Sequence, residues 1–322
     1  MNKKPPGIIL AFFIAILVCI PGGCTSTETM QHHTGHTSIR LILKYMTRDY
    51  RDEIISGAKT AANEYGVELN TQALSPRDDP AKQAAMLDDA IAADADAVIL
   101  EAEESGALDK AISNAGKMGV PIVMMDSDGR DDAFCAIGTD NAQMGRDVAA
   151  QLIRVAGNRC SVYILNSVCS AGRTDEKKAL ITNELSKYEG IHMETIDYNT
   201  EFQEELEESI KAEISELRLA KVIIALNGFS SAAAIAAIRE SYPNVNLIAF
   251  GSTLELVREM ENGRVSAMVV ENAFSKGYLA VQNAVAAIKK EKKPGSISLK
   301  ARIVTLQNLY LPENQKLIFP LT

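Results

Sequence analysis

Tryptophan is absent from this 322-residue chain, and aromatic residues make up only 5% of it. So few rings limit any aromatic platform on which a flat ligand could stack. A surplus of basic residues is also missing, since 33 Lys and Arg stand against 42 Asp and Glu, for a formal net charge of −9. Because nucleic-acid phosphates require a basic face, this balance argues against a protein that binds nucleic acid.

Histidine is scarce as well, and the body of the chain contains only His192. No cysteine stands at a recognisable catalytic spacing from it, so we interpret it as a surface or core residue. No glycine-rich phosphate loop follows the first predicted strand. The sequence therefore predicts a protein that is not an enzyme, with no catalytic residues, no metal site and no cofactor.

Cysteine is too rare for a disulfide scaffold. Three cysteines follow the N-terminal segment, namely Cys135, Cys160 and Cys169, and an odd number excludes a complete framework. A predicted strand begins at Cys160 and, at about 3.3 Å per residue, carries the chain beyond the ~7 Å that a disulfide allows between Cα atoms. Only a sharp return of the next loop could join Cys160 to Cys169, so we expect buried free thiols.

The N-terminal apolar run is too short for a comfortable membrane span, which needs about 20 residues. The run Gly7–Ile20 has 14 residues, and Lys3 and Lys4 precede it. Small residues and then Cys24 follow it. A basic start, a short apolar core and small residues before a cleavage point are typical of a secretory signal peptide.

The position of Cys24 after two glycines resembles a bacterial lipoprotein signal peptide over residues 1–24, in which the thiol is acylated and the chain is cut before it. Such signals usually carry Leu three residues before the cysteine, where this chain has Pro21. A chance cysteine beside an ordinary signal, or an uncleaved anchor, are the alternatives. The polar residues 25–38 predict a flexible tether. We therefore expect an extracytoplasmic protein, periplasmic or at the cell surface, that is anchored to the membrane through the lipid on Cys24.

The remaining body, Ile39–Thr322, repeats a short apolar run, a loop and an amphipathic helix. The first helix is predicted at Ile54–Tyr65, where Gly66 ends it as a C′ glycine. The pattern restarts after Asp140-Asn141 and includes a long helix near Lys276–Lys290. Regular alternation with near-continuous apolar strands predicts an α/β fold of two doubly wound parallel-sheet lobes. A single barrel of eight units is the competing architecture.

A series of short segments, in register over about 280 residues, carries a resemblance to a known family. They are Gly57-Ala58, Ala61-Ala62 and Tyr65-Gly66-Val67; Ala95–Leu100; Gly119–Asp126; Gly138–Gly145; Ala225-Leu226-Asn227; Ala249–Thr253; and Glu261–Val265. Together they resemble the periplasmic sugar-binding protein family of the ribose and galactose type, the type I receptors of ABC importers. The resemblance implies two lobes joined by three crossing segments, with 39–140 plus 272–302 in the first lobe and 141–271 plus 303–322 in the second.

The resemblance also implies a ligand enclosed between the lobes, at residues that follow the strands. The residues that match the family's binding positions are Arg48, Tyr50, Arg51, Asp126, Ser127, Arg173, Thr174, Asn227, Gly251 and Glu271. Several depart from the pattern: Arg51 replaces an aromatic, Ser127 replaces an arginine, and Gly251 replaces an aspartate. These losses put ordinary pentose or hexose specificity in doubt. If Glu271 and Glu101 face the cleft, the ligand could be cationic or carry an amine.

The resulting hypothesis is a monomeric solute-binding protein that closes on a small polar ligand, with a carbohydrate favoured, and delivers it to the permease of an ABC importer. The alternative is a receptor that reports a ligand, which in this case could be a non-sugar or an amine, to a membrane histidine kinase or chemoreceptor. Transcription repressors that share this fold carry a helix-turn-helix in front, and this chain carries an export signal there.

Overall fold

The computed structural model describes residues 37–75, 80–102, 105–126, 130–167, 173–198, 203–216, 220–241 and 245–319. Cys24 and Ser127 lie outside them, as do Cys169 and the side chains of Arg173 and Thr174. Within the described residues, no helix combines the length and the apolarity that crossing a membrane requires.

Two six-stranded sheets organise the chain. The first half runs β1 Ser38–Leu43, α1 Arg48–Tyr65, β2 Glu68–Ala73, α2 Pro80–Ala92, β3 Ala97–Leu100, α3 Ser105–Lys117, β4 Ile122–Met125 and β5 Cys135–Thr139. The second half runs α4 Asn141–Ala156, β6 Arg159–Ser167, α5 Arg173–Leu185, β7 Gly190–Tyr198, α6 Gln203–Glu216, β8 Ala220–Ala225, α7 Gly228–Ser241, β9 Asn246–Phe250, α8 Leu254–Glu261 and β10 Val265–Val270. The chain then returns through α9 Ala273–Ile288, β11 Ile297–Leu299, β12 Arg302–Val304 and α10 Pro312–Ile318.

The strand orders are β11-β5-β4-β3-β1-β2 and β12-β10-β9-β8-β6-β7. Among the strands that the structure describes, each pairing is parallel except that of β10 with β12, which is antiparallel. In each sheet the order reverses beside the first strand of the lobe, between β1 and β3 and between β6 and β8. Open α/β sheets bind ligands at such reversals, beyond the carboxyl ends of the strands. The predicted pair of doubly wound lobes is confirmed, and the single barrel is wrong.

Helices cover both faces of each sheet because the central strands are apolar on both sides. In β1, Leu41 and Leu43 pack into the cluster under α1 and α9, whereas Ile42 enters the cluster on the opposite face. This alternation follows from the two-residue period of a strand. Each such fully buried aliphatic side chain contributes about 1.5–3 kcal/mol of transfer free energy.

Three segments join the lobes: the one between β5 and α4, the one between β10 and α9, and the one between β11 and β12. They are bonded to one another. The backbone N–H of Asp140 donates to the carbonyl of Leu299 at 2.8 Å, and the Thr139 hydroxyl donates to Glu271 at 2.7 Å. Arg302, assigned from the sequence to the first lobe, starts β12 in the second sheet, and the other lobe bounds stay predictions.

Helix α1 begins at Arg48, six residues before the predicted start. The backbone N–H of Arg51 bonds to the carbonyl of Thr47 at 3.1 Å and closes the first turn. Asp49 in that turn stabilises it through the helix dipole. The stretch Arg48–Arg51, expected as a loop, is therefore helical. At the other end Gly66 adopts φ 67° as predicted, and its N–H bonds to the carbonyl of Ala62.

Helices α1 and α9 approach so closely that their backbones touch at two glycines. A Cβ on Gly57 would lie 1.9 Å from the carbonyl oxygen of Phe274, and one on Gly277 would lie 1.9 Å from that of Ile54. No other residue fits at this crossing without moving a backbone. The crossing fixes the first half of α9 against α1, whose first turns line the cleft described below.

Candidate binding cleft between the lobes

A cleft of about 880 Å³ lies between the carboxyl ends of the two sheets. Small-molecule sites range over about 300–1,000 Å³, so the cleft is large enough for one. The first lobe supplies residues that follow β1, β3 and β4, together with the first turns of α1. The second lobe supplies residues that follow β8, β9 and β10, with Lys177 of α5 and the end of α10.

The floor of the cleft is built around Lys276, whose side chain is 0% exposed. Its ammonium group donates to Asp126 at 2.5 Å and to the Tyr50 hydroxyl at 2.6 Å, and lies 3.5 Å from Glu271. Burial by itself lowers the pKa of Lys276, but the carboxylates of Asp126 and Glu271 outweigh burial and raise that pKa. The lysine is therefore a charged, fixed part of the site.

Tyr50 is held as a neutral hydrogen-bonding group. Burial, followed by the neighbouring carboxylates, raises the pKa of its hydroxyl well above the ordinary value. The hydroxyl accepts from Lys276 and donates to Asp126 at 3.4 Å. Asp126 directly follows β4 and has φ 42°, a left-handed conformation that Asp adopts more readily than most residues. That conformation places its carboxylate on the lysine.

Glu271 lies at the second crossing segment and contacts both lobes. Lys177 of α5 donates to it at 2.6 Å, and Thr139 of β5 donates to its other oxygen. Burial disfavours the ionised carboxylate, yet Lys177 and Lys276 outweigh burial and hold the pKa of Glu271 well below its usual range. The ammonium group of Lys177 also lies 5.5 Å from the ring centre of Phe250, a cation–π distance.

A second buried ion pair flanks the floor. Lys44, directly after β1, lies 3.6 Å from Glu101, directly after β3, and both side chains are nearly inaccessible. The acids that sequence analysis considered as contacts for a cationic ligand, Glu101 and Glu271, thus each have a lysine of the protein as counter-ion.

The cleft brings together six of the residues expected from the sequence, namely Arg48, Tyr50, Asp126, Asn227, Gly251 and Glu271. Arg51 does not line it; its guanidinium contacts Asp52 at 3.5 Å. Asn227 precedes α7, and its side-chain amide oxygen Oδ1 accepts hydrogen bonds from the backbone N–H of Ser230 at 2.9 Å and from the Ser230 hydroxyl at 3.0 Å. Asn227 therefore serves as an N-cap as well as a lining residue.

Sequence reasoning missed Lys44, Lys177 and Lys276. A signal for the last was present, because Ala273, Lys276 and Ala280 share one buried face of α9. A lysine in the buried stripe of an apolar helix requires a charged partner.

Glu53 is a further missed residue. It lies half-buried on the second turn of α1 and accepts a hydrogen bond from the Ser252 hydroxyl, across the cleft, at 3.0 Å. Burial raises the pKa of Glu53 to about 7; Asp49 adds a smaller increase, and the bond from Ser252 opposes both. The lobes also meet where the Tyr45 and Phe229 rings stack, with ring centres 5.5 Å apart.

The two described body cysteines, Cys135 and Cys160, are free and buried, as predicted. Burial raises the pKa of the Cys135 thiol to about 11, so the reactive thiolate is scarce at neutral pH. Among the described residues, no group of three or more His, Cys, Asp and Glu is arranged to hold a metal ion.

Comparison with known proteins agrees with this architecture. The sequence profile of the family described as "periplasmic binding protein domain" matches residues 39–292. The chain belongs to the periplasmic binding protein family. The ribose import binding protein of Haemophilus influenzae is 20% identical over 271 residues, covering 83% of this chain and 91% of that protein. The one from Bacillus subtilis is 22% identical over 231 residues, covering 71% and 75%.

Solved structures show the same fold. An ABC transporter solute-binding protein from Agrobacterium vitis with bound D-fucose has a TM-score of 0.81 at 21% identity, covering 87% of this chain and 99% of that one. A carbohydrate transporter solute-binding protein from Agrobacterium radiobacter in complex with D-arabinose has a TM-score of 0.79 at 23% identity, covering 88% and 99%. The resemblance to the periplasmic sugar-binding family is confirmed.

Proposed function

We propose that this protein binds a carbohydrate in the interlobe cleft and delivers it to the permease of an ABC importer. The observation that carries the proposal is the cleft itself. It lies where both sheets reverse their strand order, and polar side chains from both lobes line it. Sugar hydroxyls bind to paired charged and amide groups, and such groups are fixed here by buried ion pairs.

Two relatives named above support delivery to a permease, because the proteins of Haemophilus influenzae and Bacillus subtilis are both ribose import binding proteins. We therefore prefer import to the reporting of a ligand to a sensor kinase. Family members of this kind bind and release solutes, so binding without catalysis is part of the proposal. We propose that the protein acts as a monomer.

The family implies an extracytoplasmic location, and we propose that the acylated thiol of Cys24 provides the anchor. Cys24→Ser in the full chain should move the protein from the membrane fraction to the soluble fraction. Metabolic labelling with an alkyne fatty acid should mark the wild type and not the variant. Equal labelling of both chains would contradict the anchor.

A matched pair of variants tests the site. Asn227→Ala removes a cleft-lining amide together with the cap of α7, whereas Ser230→Ala disturbs the same cap from a residue outside the lining. Each should lose about 1 kcal/mol of stability. Only Asn227→Ala should weaken sugar binding, by about ten-fold for one lost hydrogen bond. Equal affinity of the two variants for a bound sugar, measured by titration calorimetry, would remove Asn227 from the site.

A further inference from the structure

The charges on the cleft floor cancel within the protein. Asp126 is paired with Lys276, Glu101 with Lys44, and Glu271 with Lys177. These three carboxylates therefore offer a ligand hydrogen-bond acceptors without a net negative charge.

Glu53 differs from them. It lines the cleft, yet no lysine or arginine in the described part of the chain forms an ion pair with it. The hydrogen bond that it accepts comes from the neutral hydroxyl of Ser252. The neighbouring lining acids Asp52 and Glu255 have counter-ions of their own, the former in Arg51 and the latter in the second lobe.

The surroundings of Glu53 make its negative charge unfavourable. Asp49 lies one turn earlier on α1 and also lines the cleft, and like charges four residues apart on a helix repel each other. The exposed Arg48 lies at the same helix end but does not form an ion pair with Glu53. A half-buried carboxylate without a counter-ion costs free energy, which a cation entering from solution would recover.

We propose that the ligand is an amine-bearing carbohydrate whose ammonium group pairs with Glu53 between the two lobes. The inference rests on the proposed function, since it names the sugar class for the same cleft. Glu53 belongs to the first lobe and Ser252 to the second, so an ammonium group bound there is enclosed only when the lobes are together. The rings of Tyr50, Phe229 and Phe250 line the same cleft and supply apolar surface for the sugar ring.

The test compares each amino sugar with its parent sugar. Amino-deoxy hexoses with the amine at carbon 2, 3, 4 or 6, and the corresponding neutral hexoses, are titrated calorimetrically into the wild type and into Glu53→Gln at pH 7.5. In the wild type, the Kd of at least one amino sugar should be at least ten-fold lower than that of its parent sugar, a difference in binding free energy of about 1.4 kcal/mol. In Glu53→Gln that ratio should fall to about two-fold or less.

A control variant removes a charge from the same helix outside the cleft. Glu64 lies on α1 and contacts Tyr278, away from the cleft lining, so Glu64→Gln should keep the wild-type ratio. Two results would refute the pairing of an ammonium group with Glu53 and leave carbohydrate binding intact. In the first, the neutral hexoses bind and no amino sugar is preferred; in the second, Glu53→Gln keeps the preference for the amino sugar. If neither class binds to the folded protein, the amino-sugar proposal is refuted, and carbohydrate binding fails with it only if pentoses also do not bind.

Discussion

Replacing Glu53 with Gln should stabilise the protein at alkaline pH and have little effect at acidic pH. The pKa of Glu53 is about 7 in the folded chain and 4.5 as its ordinary value. Between these values the folded chain retains a proton that the unfolded chain has released. Wild-type stability therefore falls as the pH rises through this window, and the penalty is complete above pH 7.

The size of the effect follows from the shift. About 2.5 pKa units at 1.36 kcal/mol each set an upper limit of about 3.4 kcal/mol. Glu53 is only half-buried, so screening by solvent reduces this to about 1–3 kcal/mol. Glutamine keeps the shape and can accept the bond from Ser252, but it carries no charge at any pH. The free-energy difference between variant and wild type should thus grow by about 1–3 kcal/mol from pH 4.5 to pH 8.

Urea unfolding of the ligand-free proteins, followed by circular dichroism because the chain has no tryptophan, measures this difference. Glu64→Gln is the control and should show no comparable growth, since Glu64 lies outside the cleft lining. A flat difference for Glu53→Gln between pH 4.5 and pH 8 would refute the desolvation of Glu53, on which the recognition of an amine is built.

Three other outcomes follow from the packing and the charges. Gly277→Ala, at the contact of α1 and α9, should lower the free energy of unfolding, measured with urea, by about 1–3 kcal/mol or more. Gly116→Ala is the control, because no atom lies within 4 Å of its added Cβ, and it should be neutral or stabilising. Equal effects of the two substitutions would contradict the close crossing. Asp126→Asn should lower the free energy of unfolding by about 3–5 kcal/mol, because it removes a counter-ion of the buried Lys276 charge. Adding Lys276→Met should recover part of that loss. Losses that simply add in the double variant would contradict the ion pair. Cys135 should resist alkylation by iodoacetamide at pH 8 in the native protein and react once urea unfolds the chain, which mass spectrometry can follow. Rapid labelling of the native protein would contradict the burial of this thiol.

The fold was predictable because buried parallel strands are continuous apolar runs. The segment Ile122–Met125 is entirely buried, and its run of apolar residues alone is enough to predict a strand. The C′ glycine at position 66 and the restart after Asp140 marked boundaries by local chemistry. The start of α1 was not predictable in this way, since Arg48–Arg51 is polar and shows no apolar periodicity.

The site was predictable only in part, because its ion pairs join distant parts of the sequence. Tyr50 and Asp126 could be placed by their positions after strands, yet their shared partner Lys276 is 150 residues beyond Asp126. Glu101 and Glu271 likewise pair with lysines that the sequence does not identify, Lys44 and Lys177, so the sequence alone assigns their negative charge to the ligand. The three-dimensional arrangement moves that role to Glu53, which the sequence alone shows only as one acid among several on a helix.

The most direct test of the account is titration calorimetry of the purified, refolded and ligand-free protein with a panel of pentoses, hexoses, polyols and amino sugars. At least one member should bind with a stoichiometry of one. At a free concentration of a hundred times its Kd, that sugar should raise the free energy of unfolding by about 2.7 kcal/mol, seen as a higher Tm. Asn227→Ala should weaken that binding, and Ser230→Ala should not. A folded protein that shows no saturable binding to any member would contradict carbohydrate binding in the cleft.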